Sequence, residues 1–569
     1  MIAIHGDHFS RTFQTDSPSM RLILLFTWLT AISWLASDSL AADPQSQAIS
    51  LQVRLQQPTQ QGSSRYHVVH RAQNWSAAET AVIVCDVWDA HTSVNAVRRV
   101  NQIAPRINDL CNTLREKGAT IIHAPSGCMD TYAETPARQR AIKTPAAENF
   151  PDDIGKWCYQ IPAEEQGQYP LDQSDGGRDD EPHENKQWTE RIIKLGRNPN
   201  RPWQAQCSVV TIDQSQDYIS DNGNEVWSIL AARNIDNVIM VGVHTNMCVL
   251  GRPFGLRRLA SNGKNVVLVR DLTDTMYNPA AWPYASHFSG TDLIVSHIER
   301  HVCPTITSDQ VLGGEPIRFA NDQRTRLVML VAEDEYKTNE TLPAFAAKHL
   351  TKHFSVTILH GSETERHSIP GMEALDDADA LLISARRRAL PEADLKRIEA
   401  FVAAGKPVIG IRTANHAFSL RGKPSPTGTE TWESFDADVF GGNYTNHFGN
   451  GLKSTLKIAD SADHPIIKTG DIGKLVPSGS LYRVKPLADG TRVLLEGSLD
   501  DGQSEPVAWT FIRGDAGRSF YTSLGHENDF SHPEFQTFLA AAIHWACDQP
   551  LPSLETISAQ NQRYNAARP

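Results

Sequence analysis

The sequence predicts a tandem of two doubly wound α/β domains. Three observations carry this. Short apolar runs alternate with helical stretches, the order expected of parallel sheets with right-handed crossovers. The alternation stops at a polar seam, residues 313–324, and then restarts. Near the C-terminal end, strand signals pair across a tight turn, which marks an antiparallel extension of the second sheet.

The elements follow in order. Residues 81–86 form a continuous apolar run closed by Asp86, as in strands buried on both faces. A helix spans 93–117 and stops at Gly118, glycine being the usual residue just past a helix. Strands are expected at 120–125, 209–212, 238–242 and 266–269. A helix is expected at 224–233, with Val226, Ile229 and Leu230 on one face. The polar stretch 136–202 is too long for an ordinary connection, which leaves a functional lid, a subunit contact or partial disorder. Beyond the seam come strands at 326–331, 355–359, 380–383 and 406–411, and helices at 342–353 and 392–404. Two strands at 507–512 and 519–523 then flank a turn at 514–517, and a helix occupies 533–545. The domains are therefore 45–312 and 325–549, with a C-terminal tail at 550–569.

Composition bounds the function classes. Hydrophobic residues make up 40% and charged residues 21%, an ordinary globular balance. A formal net charge of -12 argues against nucleic acid or an anionic membrane surface as partner, because both need a basic footprint. Met20-Arg21, the apolar run 22–35 and Ser39-Leu-Ala41 are the parts of a secretory signal peptide. The expectation is a signal peptide at 1–41 with translation starting at Met20, a periplasmic or secreted product, and no membrane span after cleavage. Eight cysteines stand at 85, 111, 128, 158, 207, 248, 303 and 547, none in a C-x-x-C pair, so a thiol-ligated zinc site has no support. Disulfides among them are open. No metal or cofactor is expected.

The main chemical signal is Gly242-Val-His-Thr-Asn-Met-Cys248-Val. An apolar strand runs into a polar loop, and a cysteine stands where a helix should begin. Partial positive charge and free N–H groups at a helix start lower a thiol's pKa. The N–H groups of Met247 and Cys248 are placed to hold an oxyanion. The bland alternative is a buried, inert cysteine.

This loop resembles the nucleophile loop of the isochorismatase-like cysteine hydrolases, which include nicotinamidases and N-carbamoyl amidases. Ile83-Val-Cys-Asp86 resembles that family's first strand, and Arg270-Asp-Leu-Thr-Asp274 its late strand and acidic turn. The resemblance covers about 75–310. It implies a Rossmann-like α/β/α sandwich, Cys248 as nucleophile, Asp86 as its proton acceptor, a small-molecule amide substrate, and often a cis peptide before His244 and a homo-oligomer. The family's third catalytic residue is a lysine ending the strand before the nucleophile strand. Here the run Val209-Val-Thr-Ile-Asp213 puts Asp213 in its place, where a carboxylate raises the pKa of both Asp86 and the thiol. Lys156 and Lys194 in the long insertion are distant candidates. Three outcomes stay open: a histidine or arginine substitutes, the chemistry differs, or the domain is silent. His91, His123 and His244 are candidate substrate-binding residues, and Trp88, Trp203 and Tyr277 candidate pocket walls.

The second half resembles ThuA-like domains of the class I glutamine amidotransferase-like superfamily. The segments that carry it are Asp379-Ala-Leu-Leu-Ile-Ser384, Phe401-Val-Ala-Ala-Gly-Lys-Pro-Val-Ile-Gly410, Pro506-Val-Ala-Trp509 and Phe520-Tyr-Thr-Ser-Leu-Gly-His526. The resemblance implies a flavodoxin/amidotransferase-like fold with extra antiparallel strands. At the elbow where true amidotransferases carry cysteine, this chain reads Gly410-Ile-Arg-Thr-Ala-Asn-His416, without a thiol. Glutaminase chemistry is therefore not expected. Arg412, His416, Tyr444, His447, Tyr482 and His526 fall at strand ends or in loops and form a candidate carbohydrate site. The leading expectation is an exported cysteine hydrolase cleaving an amide-like C–N bond. The alternative is a carbohydrate-processing or carbohydrate-binding protein acting through the second half, with the first half silent.

Overall fold

The computed structural model describes residues 48–566. The expected signal peptide at 1–41, with its start at Met20, lies outside the described residues. None of the described helices is long and apolar enough to cross a membrane.

The first half is built on one eight-stranded sheet. A hairpin of β1 (Ala48–Pro58) and β2 (Tyr66–Ser76) precedes β3 (Thr80–Cys85), β4 (Thr120–Ala124), β5 (Tyr218–Ile219), β6 (Asn237–Val243), β7 (Asn265–Asp274) and β8 (Thr305–Ile306). The order is β2-β1-β8-β7-β6-β3-β4-β5. β3 to β8 run parallel, and β1 is antiparallel to β8. Side chains alternate across a strand, and β3 shows the consequence. Ala81, Ile83 and Cys85 pack with Val226, Ile229 and Ile294 on one face. Val82 and Val84 pack with Val100, Ile103 and Ile107 of the helix Val94–Glu116 on the other. Two apolar faces, each covered by helices, make the α/β/α sandwich. The Val94–Glu116 helix starts where expected because the Ser93 hydroxyl accepts the Ala96 N–H at 3.1 Å.

The second half repeats the plan. Its sheet runs Phe354–His360, Thr325–Ala332, Ala380–Ala385, Val408–Ile411, Arg518–Thr522, Ser504–Ile512, Thr491–Ser498 and Thr455–Ile458. The first five are parallel, and the last three continue antiparallel. Leu327, Met329 and Val331 meet Phe535, Leu539 and Ile543 on one face. Val328 and Leu330 meet Leu395, Ile398 and Phe401 on the other.

Four features depart from the sequence reading. Residues 209–212 are a turn rather than a strand: only Val210 is buried there, and Val209 is 44% exposed. The outer neighbour of β4 in the sheet is instead β5, Tyr218–Ile219. The β1–β2 hairpin was not anticipated, although Ile49, Leu51 and Val53 alternate into the core as a strand should. The tail at 550–569 contains a helix, Leu554–Ala566, which buries Ile557 and sends Arg563 to the Ala280 carbonyl of the first half at 2.8 Å. The stretch 136–202 is ordered around the helices Pro136–Lys143 and Pro182–Lys194. All eight cysteines are free thiols.

Candidate active site

Strand register brings the two main sequence signals together. Cys85 of β3 pairs with Gly242 of β6, so Asp86 and the loop after β6 leave the sheet side by side. The approach is close. A Cβ at Gly242 would stand 2.0 Å from the Cys85 carbonyl oxygen, and φ there is +109°, so only glycine fits. The Val243–His244 peptide is cis. Thr245–Val249 then makes a single π-helical turn with Cys248 as its fourth residue.

Asp86 is fully buried and is the hub of the site. One carboxylate oxygen accepts the Ser126 N–H at 2.7 Å. The other accepts Arg252 Nε at 3.0 Å, with the terminal guanidinium nitrogen also at 3.0 Å. The Cys248 thiol donates to the same carboxylate. Arg252 reaches it because its N–H bonds the Cys248 carbonyl at 3.0 Å, one helical turn on, which puts guanidinium and thiol on one face. Arg252 was missing from the sequence-derived candidates. The four-residue spacing from Cys248 was the available signal.

Burial pushes the Cys248 thiol well above its ordinary value, and the Asp86 charge adds to this, while Arg252 opposes it. Burial also raises the Asp86 carboxyl, against the pull of Arg252 and the Cys248 and Ser126 hydrogen bonds. Burial thus favours the neutral thiol, which lies beside a carboxyl group paired with an arginine. This runs against the expectation of an acidified thiol: desolvation and the neighbouring Asp86 charge both favour the protonated form.

The thiol opens on a cavity of about 740 Å³. Its walls include Trp88, Trp157, Tyr169 and Trp203, with His91, His244 and Arg252 among the polar groups. Trp88 and Trp203 stack at 4.5 Å. The stretch 136–202 supplies Trp157, Tyr159, Tyr169 and Gln173, so it is a wall of the cavity. Trp157 lies flat on Gly251, where a Cβ would come within 2.5 Å of the indole. The wall is pinned by Glu164, which binds Arg257 through both oxygens at 2.7 and 2.8 Å and His297 at 2.8 Å. Burial acts upward on this carboxyl, yet His297 and Arg257 hold it down to about 2.

His91 and His244 meet edge to face at 4.9 Å on the cavity wall. Burial holds His91 down to about 4 and His244 down to about 3, so both are neutral near pH 7. His91 Nδ1 accepts the Ser93 N–H at 3.1 Å, while both ring nitrogens of His244 are buried without a hydrogen-bond partner. Behind them, Asp274 is locked by Arg99 at 2.8 Å and His287 at 2.9 Å.

Other expected residues fall elsewhere. Met247 lines the cavity, but its N–H is spent on the His244 carbonyl at 2.9 Å, which removes it as an oxyanion donor. His123 is buried between Asp217 and Gln206, both at 3.1 Å, and is structural. Asp213 sits in a surface turn, binding Ser215 and Gln216, and does not oppose Asp86. It misleads because residues 209–213 imitate a strand ending in an acid. Tyr277 is core, its hydroxyl donating to the Ala281 carbonyl at 2.9 Å. Lys156 is 76% exposed beside Asp153, and Lys194 is exposed on the insertion helix.

In the second half, Arg412 does stand at the elbow, with φ +51°. It is buried, its guanidinium lying 4.4 Å from the Tyr336 ring and 4.6 Å from the Tyr482 ring, and it donates to the Ser480 and Ser523 carbonyls. Arg412 and Tyr482 are thus engaged with the protein itself, and Arg412 Nε is buried without a hydrogen-bond partner. His447 is exposed at a two-residue ladder, with Nδ1 2.6 Å from the Phe448 carbonyl oxygen, and His526 caps the turn Glu527–Ser531. His416 and Tyr444 stack at 4.4 Å on a separate, smaller pocket.

Residues 326–546 match the ThuA family model, described as trehalose utilisation, so the second half carries a ThuA domain. No curated protein matches the chain. Among solved structures, a ThuA-like protein from Bacteroides uniformis is 16% identical, covers 41% of this chain and 95% of its own, and gives a TM-score of 0.31. A cysteine hydrolase from Pseudomonas syringae is 18% identical, with 42% and 92% covered and a TM-score of 0.25. N-carbamoylsarcosine amidase from Thermoplasma acidophilum is 12% identical, with 41% and 97% covered and a TM-score of 0.21.

Proposed function

We propose that the first half hydrolyses a C–N bond, amide-like in character, in a small molecule, with Cys248 as nucleophile. One observation carries this reading: a buried carboxylate binds both a thiol and an arginine at the floor of an aromatic cavity. Asp86 takes the thiol proton as sulfur attacks the carbonyl carbon. Arg252 compensates the negative charge, so proton transfer to Asp86 need not leave an uncompensated thiolate. The tetrahedral oxyanion collapses, the C–N bond breaks, and the proton on Asp86 passes to the leaving nitrogen. Water, deprotonated by Asp86, then cleaves the thioester and returns Cys248 to its thiol form. Arg252 thus fills the place in which the family resemblance calls for lysine. The aromatic walls favour a substrate with a flat or apolar body.

The test is a panel of small amides and carbamoyl compounds assayed with the intact chain and with Cys248→Ala. Turnover that vanishes in the variant supports the reading, and turnover that persists overturns it. Iodoacetamide labelling of Cys248 across pH adds a second readout. Labelling that depends on Asp86 and Arg252 supports the triad, and labelling indifferent to both removes it.

A further inference from the structure

A second pocket, of about 280 Å³, lies in the ThuA half, apart from the Cys248 cavity. It opens at the C-terminal ends of parallel strands, where ligands of open α/β sheets bind. Arg387 follows the strand Ala380–Ala385 by two residues, and Asn415 and His416 lie in the turn after Val408–Ile411. Arg387 and Arg421 both bond the Tyr444 side chain. Neither has a carboxylate partner among the described residues. The Arg387 guanidinium also donates to the Ser419 carbonyl, at 3.1 Å. Glu433 also lines the pocket, but its oxygens are taken by the Ser419 hydroxyl at 2.6 Å and the Leu420 N–H at 2.9 Å. Both arginines hold left-handed backbone, φ +48° and +58°, which side chains other than glycine's seldom adopt.

Deeper in, two polar atoms are buried without a partner: Asn415 Nδ2 and Asp436 Oδ1. Their neighbouring atoms are engaged. Asn415 Oδ1 lies 2.6 Å from His416 Nδ1, and Asp436 Oδ2 accepts the Tyr444 N–H at 2.7 Å. A buried polar atom left unpaired is costly and calls for an occupant that completes it. Two guanidinium groups without counter-charge, a stacked Tyr444–His416 platform, and unpaired amide and carboxyl atoms describe one ligand class.

We propose that this pocket binds a small anionic polyol, a sugar acid or sugar phosphate, with its charge on Arg387 and Arg421 and its hydroxyls on Asn415 and Asp436. Arginine forks suit carboxylate and phosphate alike. An unpaired amide N–H donor and an unpaired carboxyl oxygen suit hydroxyls, and the aromatic platform suits a ring face. This inference does not depend on the reading of Cys248.

Calorimetric titration of the intact chain with gluconate, glucose 6-phosphate, glucose and inorganic phosphate tests it. Gluconate or glucose 6-phosphate is expected to bind at least tenfold more tightly than glucose and than inorganic phosphate. Preference between the two identifies the anionic group as carboxylate or phosphate. The double variant Arg387→Gln, Arg421→Gln should lose at least tenfold in affinity for the preferred probe, with its melting temperature unchanged. Arg421→Gln alone, at an exposed position, should lose at least threefold and guards against a misfolded double variant. No binding by any probe, equal binding of glucose, or unchanged affinity in the correctly folded variants overturns the proposal.

Discussion

The turn after β6 and the turn after Val408–Ile411 occupy comparable places in the two halves, at the end of a central parallel strand, and they treat charge in opposite ways. In the first, Cys248 and Arg252 converge on the buried Asp86, and the arginine keeps 27% of its side chain exposed toward a cavity. In the second, Arg412 is sealed between Tyr336 and Tyr482 and makes no ion pair among the described residues. The first arrangement leaves a charge pair beside a thiol that opens on a cavity. The second spends a cation on holding loops together. Standing at a strand end therefore does not by itself make an arginine a reactive group. Access, and a partner able to change protonation, do.

This contrast breaks most directly at Cys248. Cys248→Ala should lower turnover about a thousandfold or more while the melting temperature holds, because removing a nucleophile leaves only residual binding and electrostatic effects. A stopped assay with mass detection of product checks it. Next in size is the wall of the cavity. Glu164→Gln should cost about 3–5 kcal/mol in chemical denaturation, because it strands Arg257 in the interior. The sign with pH follows from the depressed carboxyl: its stabilisation is complete above the unfolded value of about 4.3 and is lost as pH falls toward about 2. Glu164→Gln should flatten that acid limb.

Arg252→Met should reduce turnover about a hundredfold, with Arg252→Lys recovering part of it, since a lysine restores the charge but not the fork. If both variants act alike, Arg252 is structural and the analogy with the sealed Arg412 is restored. The pH profile sharpens the same point. Because burial raises the Asp86 carboxyl, the acid limb of the rate should lie above the ordinary carboxylate range, with activity lost as pH falls through it. An acid limb at the ordinary value would place Asp86 outside the reaction. The smallest effect belongs to the second turn: Arg412→Met should cost about 2 kcal/mol of stability, the scale of a desolvated cation–aromatic contact, and leave amide turnover unchanged.

The central elements were legible because their signals are local. Strands such as 81–85 are apolar throughout, and helices such as Val94–Glu116 carry a serine cap and a glycine stop. Residues 209–212 misled because short β-branched runs look alike whether paired or looped. The outer partner of β4 is Tyr218–Ile219, with only two residues to announce it. In the site, Cys248 and Asp86 stand in recognisable strings, while Arg252 has no motif of its own and gains meaning only from the carboxylate it reaches.

By itself the sequence determined two wound α/β halves, and the thiol and carboxylate at the ends of neighbouring strands, since apolar periodicity and short-range punctuation act along the chain. Only the tertiary structure decided which cation joins them, which histidines face the cavity and which are core, and that the long insertion is a wall. Those outcomes depend on groups far apart in sequence meeting in a space whose burial sets their charge.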